Sequence, residues 1–261
     1  MNIRKSFLCK IAIILVILLA CGVAFFYFRE EGSKEAEILQ VDRFITTFDY
    51  SKTDSLVSLV KNSEIVVIGE YTGFSSSWNM ARDSYNVLNE DKDNYFEGRL
   101  YNFSVFEILK GTPVDDEILV NHYYSRTIKK TESNAVFNEN GEIVVAATKT
   151  NEISFTVPSF LFIEPDIGST YVLFLLKDRD FGNYYGTAEP FMIKIEDDKA
   201  FLQSNLIDIA GEIVQTVPID GTSRTISVSE NHTRLNDYIT GTDFNTLKEE
   251  ILGIVERNSS G

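Results

Sequence analysis

The sequence predicts a mainly β protein, a closed or nearly closed barrel or a sandwich, with a short helix near each end and an apolar membrane segment in front. Three observations carry this expectation. Beyond residue 64 the chain breaks into short apolar or alternating runs separated by turn signals, the pattern of an all-β domain. Beyond residue 50, helical periodicity is confined to one segment around Leu56 and another around Leu247. The stretch Ile11–Phe28 carries no charge.

The N-terminal segment, residues 1–28, holds Arg4, Lys5 and Lys10 and no acid. Its uncharged stretch would span about 27 Å as a helix, enough to cross the hydrocarbon of a bilayer. The basic inner flank and the mostly acidic outer flank (Glu30, Glu31, Glu35, Glu37) set the N-terminus inside. Leu18-Leu19-Ala20-Cys21 also fits a bacterial lipobox, which would make Cys21 the lipidated first residue of a mature chain. The residues after Cys21 stay apolar and end in Phe25, Phe26, Tyr27 and Phe28, aromatic side chains suited to a membrane interface. The reading is therefore an uncleaved signal anchor, a single-pass transmembrane helix in the cell membrane, with a membrane-anchored lipoprotein as the alternative. Both place the rest of the chain outside.

Residues 29–37 are a charged linker, 38–255 the extracytoplasmic domain and 256–261 a tail expected to fray. Residues 38–50 fit strand or helix equally. Thr53 or Asp54 can cap a short helix with Leu56, Leu59 and Val60 on one face, ended by Asn62 and Ser63. Glu64–Tyr71 is a largely apolar strand. Leu100–Leu109 alternates, with Tyr101, Phe103 and Val105 on one side and Asn102 and Ser104 on the other, before the break at Gly111 and Pro113. Strands follow over 117–124, 142–149 (after a turn at 138–141), 153–157, 171–177, 191–195 and 199–203. The apolar run at 171–177 should be central, and Asp197-Asp198 should turn a hairpin. Residues 243–255 make an amphipathic helix burying Phe244, Leu247, Ile251 and Ile254. The interval 72–98 is left as a connection longer than usual, the kind that is functional or disordered.

The chain carries a net charge of −15. A surface so acidic repels phosphate backbones, which excludes nucleic acid as a partner, and it holds the domain off anionic headgroups. Both cysteines, Cys9 and Cys21, lie in the N-terminal segment, so the exported part forms no internal disulfide. That composition suits a Gram-positive bacterial surface protein, and the sequons at Asn102, Asn231 and Asn258 are then chance matches.

The order KNSEIVVIGEY, YNFSVFEILKGTPVDDEILV, IEPDIGSTYVLFLLKD resembles a loose group of bacterial extracytoplasmic proteins of unknown function. It also looks like the OB-type barrel of netrin-like and metalloproteinase-inhibitor domains. The resemblance spans about residues 54–203 and implies an OB-like closed or partly open β-barrel. It transfers no functional residue. Those inhibitors act through an N-terminal cysteine and disulfides, and the exported part here has no cysteine.

Motifs of catalysis do not assemble. His122 and His232 show no metal-ligand spacing and read as surface or strand histidines. Asn89–Asn94 imitates the start of an EF-hand loop but lacks its glycine and its closing glutamate. Asp180-Phe181-Gly182 is a turn, and Ser58–Lys61 is the surface of the short helix. The candidate site is aromatic: Trp78, Tyr123, Tyr124, Tyr184 and Tyr185, with Arg82 four residues beyond the one tryptophan. Such side chains form platforms for sugar rings or peptides, and Trp, Tyr and Arg concentrate at binding hot spots. The expected function is a membrane-anchored binding or interaction module at the bacterial cell surface, with no cofactor and no metal. Its partner would be a cell-wall polymer or a surface protein. The alternative is a cell-envelope hydrolase whose site is assembled from scattered carboxylates. Two carboxyl groups, or a histidine with an acid, converging in a concave pocket would mark the hydrolase; an aromatic groove would mark the binding module.

Overall fold

The computed structural model describes residues 42–45, 50–113, 115–133, 136–137, 143–145, 150–208, 211–218 and 225–259. The expected membrane segment 1–28 with Cys21, the linker 29–37 and the turn at 138–141 lie outside the described residues. Among the described residues no helix is long and apolar enough to cross a membrane.

The protein is mainly β, and its principal sheet closes into a ring. Five strands form the ring: β2 (Ile65–Asn79), β3 (Tyr95–Lys110), β4 (Glu117–Ser133), β8 (Thr170–Lys177) and β9 (Tyr184–Gly186). They close in the order β2-β3-β4-β9-β8 and back to β2. Within the ring the β4–β9 pair is parallel and the other pairs are antiparallel. Strand β7 (Thr150–Pro158) extends the sheet beyond β4, and the hairpin β10 (Met192–Glu196) and β11 (Lys199–Gln203) extends it beyond β8. A second sheet joins β1 (Asp42–Ile45), β13 (Thr225–His232) and β12 (Gly211–Pro218), and β5 (Val136–Phe137) pairs with β6 (Ile143–Val145).

The two strands that read as continuous apolar runs are buried on both faces. Ile65, Val67 and Tyr71 of β2 and Tyr171, Leu173 and Leu175 of β8 point into the ring, where they meet Tyr101, Phe103, Ile118, Val120 and Tyr184. Val66, Ile68, Val172 and Phe174 point outward and are covered by two helices, α1 (Leu56–Asn62) and α2 (Phe244–Ser259). The predicted alternation of β3 holds, with Tyr101 and Phe103 fully buried. The strand at 171–177 is central, between β2 and β10.

Several expectations need correction. The cap of α1 is Ser55, whose hydroxyl accepts the Ser58 N–H, instead of Thr53 or Asp54. Its buried face, Leu56, Leu59 and Val60, is the expected one. Residues 42–45 are strand. α2 runs on to Ser259, through residues expected to fray. Strands β9, β12 and β13 are additions to the expected strands, β13 in spite of the alternation of Thr225-Ile226-Ser227-Val228-Ser229. The interval 72–98 is mostly hairpin, because β2 continues to Asn79 and β3 starts at Tyr95. The polar run Thr72–Ser77 concealed this. These residues are largely exposed, so they show no apolar face. At the β10–β11 turn, Asp197 and Asp198 both have positive φ (48° and 57°), the geometry of the tight hairpin turn expected there.

Candidate functional site

A cavity of about 820 Å³ opens between the far end of the β2–β3 hairpin, the middle of β4 and the segment from Leu176 to Phe191 that contains β9. That is the size of a small-molecule or short-polymer site. The hairpin supplies Trp78, Met80, Arg82 and Phe96, β4 supplies Asn121, His122 and Tyr123, and the turn after β8 supplies Asp178 to Phe181.

The hairpin tip is organised by one side chain. Asn79 is buried; its amide nitrogen donates to the carbonyls of Asp91 and Asn94, and its oxygen accepts the N–H groups of Ala81 and Phe96. This fixes the entry of the 80–94 loop and with it the direction of Trp78 and Arg82. Trp78 Nε1 donates to Asn121 Oδ1 at 2.9 Å, tying the hairpin to β4. The Arg82 guanidinium lies 4.6 Å from the Trp78 ring centroid and 4.2 Å from that of Phe181. Gly98 on β3 permits this crossing, because a Cβ there would collide with Asn121 Oδ1, Trp78 Nε1 and Met80 Cγ.

Four of the six expected site residues, Trp78, Arg82, Tyr123 and Tyr185, do line this cavity. Tyr184 does not belong to them. It alternates with Tyr185 on β9 and is buried inside the ring. Tyr124 points away as well, packing against Phe162 and under the Arg99 guanidinium. Phe181, in a triplet that reads only as a turn, proves to be the ring that completes the Arg82 clamp. The turn itself is as expected, since Asp178 Oδ1 accepts the N–H groups of Asp180 and Phe181, and Gly182 has φ 76°.

Of the two expected settings the histidines take the strand, His122 on β4 and His232 on β13, and both are buried. His122 lies among Tyr71, Tyr101, Phe162 and Phe191, and shares a 2.9 Å hydrogen bond with the Tyr71 hydroxyl. Burial pushes its pKa down to about 3, so it is neutral, and the same burial pushes the Tyr71 phenol up. His232 stands in a line of polar groups: the Tyr50 hydroxyl lies 3.1 Å from Nδ1, Glu230 lies 3.4 Å from Nε2, and Arg126 pairs with Glu230 at 2.7 Å. The cavity beside that line measures about 10 Å³, room for about one water. The line is a packed network with no space for a substrate.

Glu189 was missed by sequence reasoning. It is a lone acid before a proline, with no neighbouring motif to single it out. Its carboxylate accepts the Ser204 hydroxyl at 3.2 Å and lines the cavity. Burial raises its pKa to about 7, and among the described residues no cation offsets the effect. Among the described residues no three His, Cys, Asp or Glu side chains are grouped so as to hold a metal ion. The acidic loop at 89–94 spends its chemistry on itself: Asp91 accepts from the backbone of Asp93 and Asn94 and from the Asn94 side chain.

Compared with models of protein families, with curated proteins and with solved structures, the chain matches none.

Proposed function

We propose that this protein is a binding module, held at the outer face of a bacterial cell membrane by its N-terminal segment, whose ligand seats in the 820 Å³ cavity. The observation that carries the reading is the make-up of that cavity. Trp78, Phe181, Tyr123 and Tyr185 line it beside the Arg82 guanidinium, the residue types that concentrate at binding hot spots. The barrel supports the same reading by analogy. A five-stranded ring whose third strand in chain order pairs in parallel with its fifth is consistent with an OB-type barrel. Such barrels bind oligosaccharides and oligonucleotides on strands 2 and 3 and on the loops after strands 1 and 4. Here those elements are β3, β4, the 80–94 loop and the 178–183 turn, and all four line the cavity. The charge of −15 argues against the oligonucleotide, which leaves a cell-wall polymer or a segment of a surface protein.

Hydrolysis is the second reading, and Glu189 is what favours it, a half-buried acid with a raised pKa on a cavity wall. The partners it would need are committed elsewhere. His122 Nε2 is bonded to Tyr71, Asp178 holds its own turn, and Glu64 accepts from the Lys177 N–H and pairs with Arg179. Cross-linking on intact cells followed by recovery of the full-length protein tests the binding reading. Tyr185→Ala, at a side chain 40% exposed, should lose most of the wild-type partner profile. An unchanged profile would remove the cavity as the site. Release of wall fragments by wild type but not by Glu189→Gln would establish the hydrolase instead.

A further inference from the structure

We propose that the cavity receives an organic cation, an amine or quaternary ammonium group that pairs with the Glu189 carboxylate among aromatic rings. The inference rests on the cavity being the ligand seat and names the chemistry of what sits there.

The first observation is the acid itself. Glu189 is fixed through its backbone: its N–H donates to the Ser51 carbonyl at 2.8 Å and its carbonyl accepts the Thr53 N–H at 2.9 Å. The side chain is thereby held on the cavity wall with one hydroxyl, that of Ser204, as partner. Among the described residues no Lys, Arg or His pairs with it. Arg179 pairs with Glu64, and Arg82 is occupied by two rings and by the Asn79 carbonyl. A carboxylate partly withdrawn from water without a counter-charge is costly, and an arriving cation is what would relieve the cost.

The second observation is independent of the first. The cavity that Glu189 lines is aromatic, with Tyr50, Phe191, Tyr185 and the neutral His122 also in its wall. Aromatic faces attract ammonium and guanidinium groups, and this cavity already demonstrates it, since two of its rings hold Arg82. His122 stays uncharged because of its burial, so it does not repel an incoming cation. The whole chain, at −15, draws cations toward it. The lining carries Glu64, Asp178, Asp180 and Glu189 against Arg82, Lys177 and Arg179, and of these acids Glu189 is the one with neither a cation partner among the described residues nor a place in the 178–183 turn.

Calorimetric titration of the full-length protein in mild detergent, with choline and its uncharged carbon isostere 3,3-dimethylbutan-1-ol, tests this. Choline should bind at least about tenfold more tightly. Glu189→Gln should abolish the preference while the thermal melt shows a folded protein. Equal binding of the two compounds, no choline binding, or a preference that survives Glu189→Gln would overturn the inference. Emission of the single tryptophan, Trp78, separates this failure from that of the cavity reading. If soluble oligosaccharides or peptides shift the emission and choline does not, the cavity remains the ligand seat and only the cation is wrong. If none of these probes shifts it, both readings fall.

Discussion

Two titratable side chains give this protein opposite responses to pH. Glu189 has a folded pKa of about 7 against an ordinary value of 4.5. The folded state therefore holds its proton more tightly than the unfolded one, and stability is lost as pH rises from about 4.5 through 7. Glu189→Gln should leave the melting temperature nearly unchanged at pH 4 and raise it at pH 8. The slope difference between variant and wild type in that window is at most about 1.4 kcal/mol per pH unit. A variant no more stable than wild type at pH 8 would show that the carboxylate is not strained. His122 works the other way. Its folded pKa of about 3 lies below the ordinary 6.5, so the unfolded chain takes up the proton first and stability falls as pH drops from 6.5 towards 3. His122→Phe should flatten this acid limb in a pH series of denaturant melts, whatever it does to absolute stability. Neither effect was legible in the sequence. A buried histidine and an exposed one are written with the same letter, and burial here is decided by rings from four separate segments.

At the scale of elements, the β2–β3 hairpin shows what periodicity can and cannot reveal. The paired halves Ile65–Tyr71 and Leu100–Leu109 were legible because one or both of their faces are buried, which leaves an apolar pattern. The outer halves, 72–79 and 95–99, carry mixed polar residues, since they project past the core and are held by backbone pairing instead. Asn79 ends the strand by replacing ladder bonds with four side-chain bonds. Asn79→Ala would leave the Ala81 and Phe96 N–H groups and two carbonyls without these partners, costing about 2–3 kcal/mol. Amide exchange should speed up at Ala81 and Phe96 before it does so in the ring. Gly98→Ala makes a separate test of the crossing over β4. The added methyl would push Trp78 off Asn121, so the tryptophan emission should change together with a drop in stability. Unchanged emission would mean that strand β3 shifts to absorb the methyl and that the hairpin is looser than its hydrogen bonds imply.

At the scale of the whole molecule, the fold turns on how three residues of β9 close a ring. β9 pairs with β8 on one side and β4 on the other, and neither neighbour reaches the other without it. Its alternation sends adjacent, identical side chains to opposite sides. Tyr184 points into the ring at 2% exposure and packs with Tyr71, Val120 and Leu175, while Tyr185 points to the cavity at 40%. The sequence marked both tyrosines as site residues because a Tyr-Tyr pair beside a turn carries no sign of which one faces inward. That sign comes only from the register with β4, where Val120 opposes Tyr184 and Asn121 opposes Tyr185. The two substitutions should therefore separate cleanly. Tyr184→Ala removes a core ring and should cost about 3–5 kcal/mol, lowering the denaturation midpoint of the whole barrel with it. Tyr185→Ala should move the midpoint little, because an exposed side chain contributes little to the core, yet it should weaken ligand capture. Equally small losses of stability from both would mean that β9 is held by its backbone pairing alone and that the face each tyrosine occupies is incidental. A loss of capture without loss of stability in Tyr185→Ala alone would tie the closure of the ring to the formation of the site, because the three residues that seal the barrel would also build its wall.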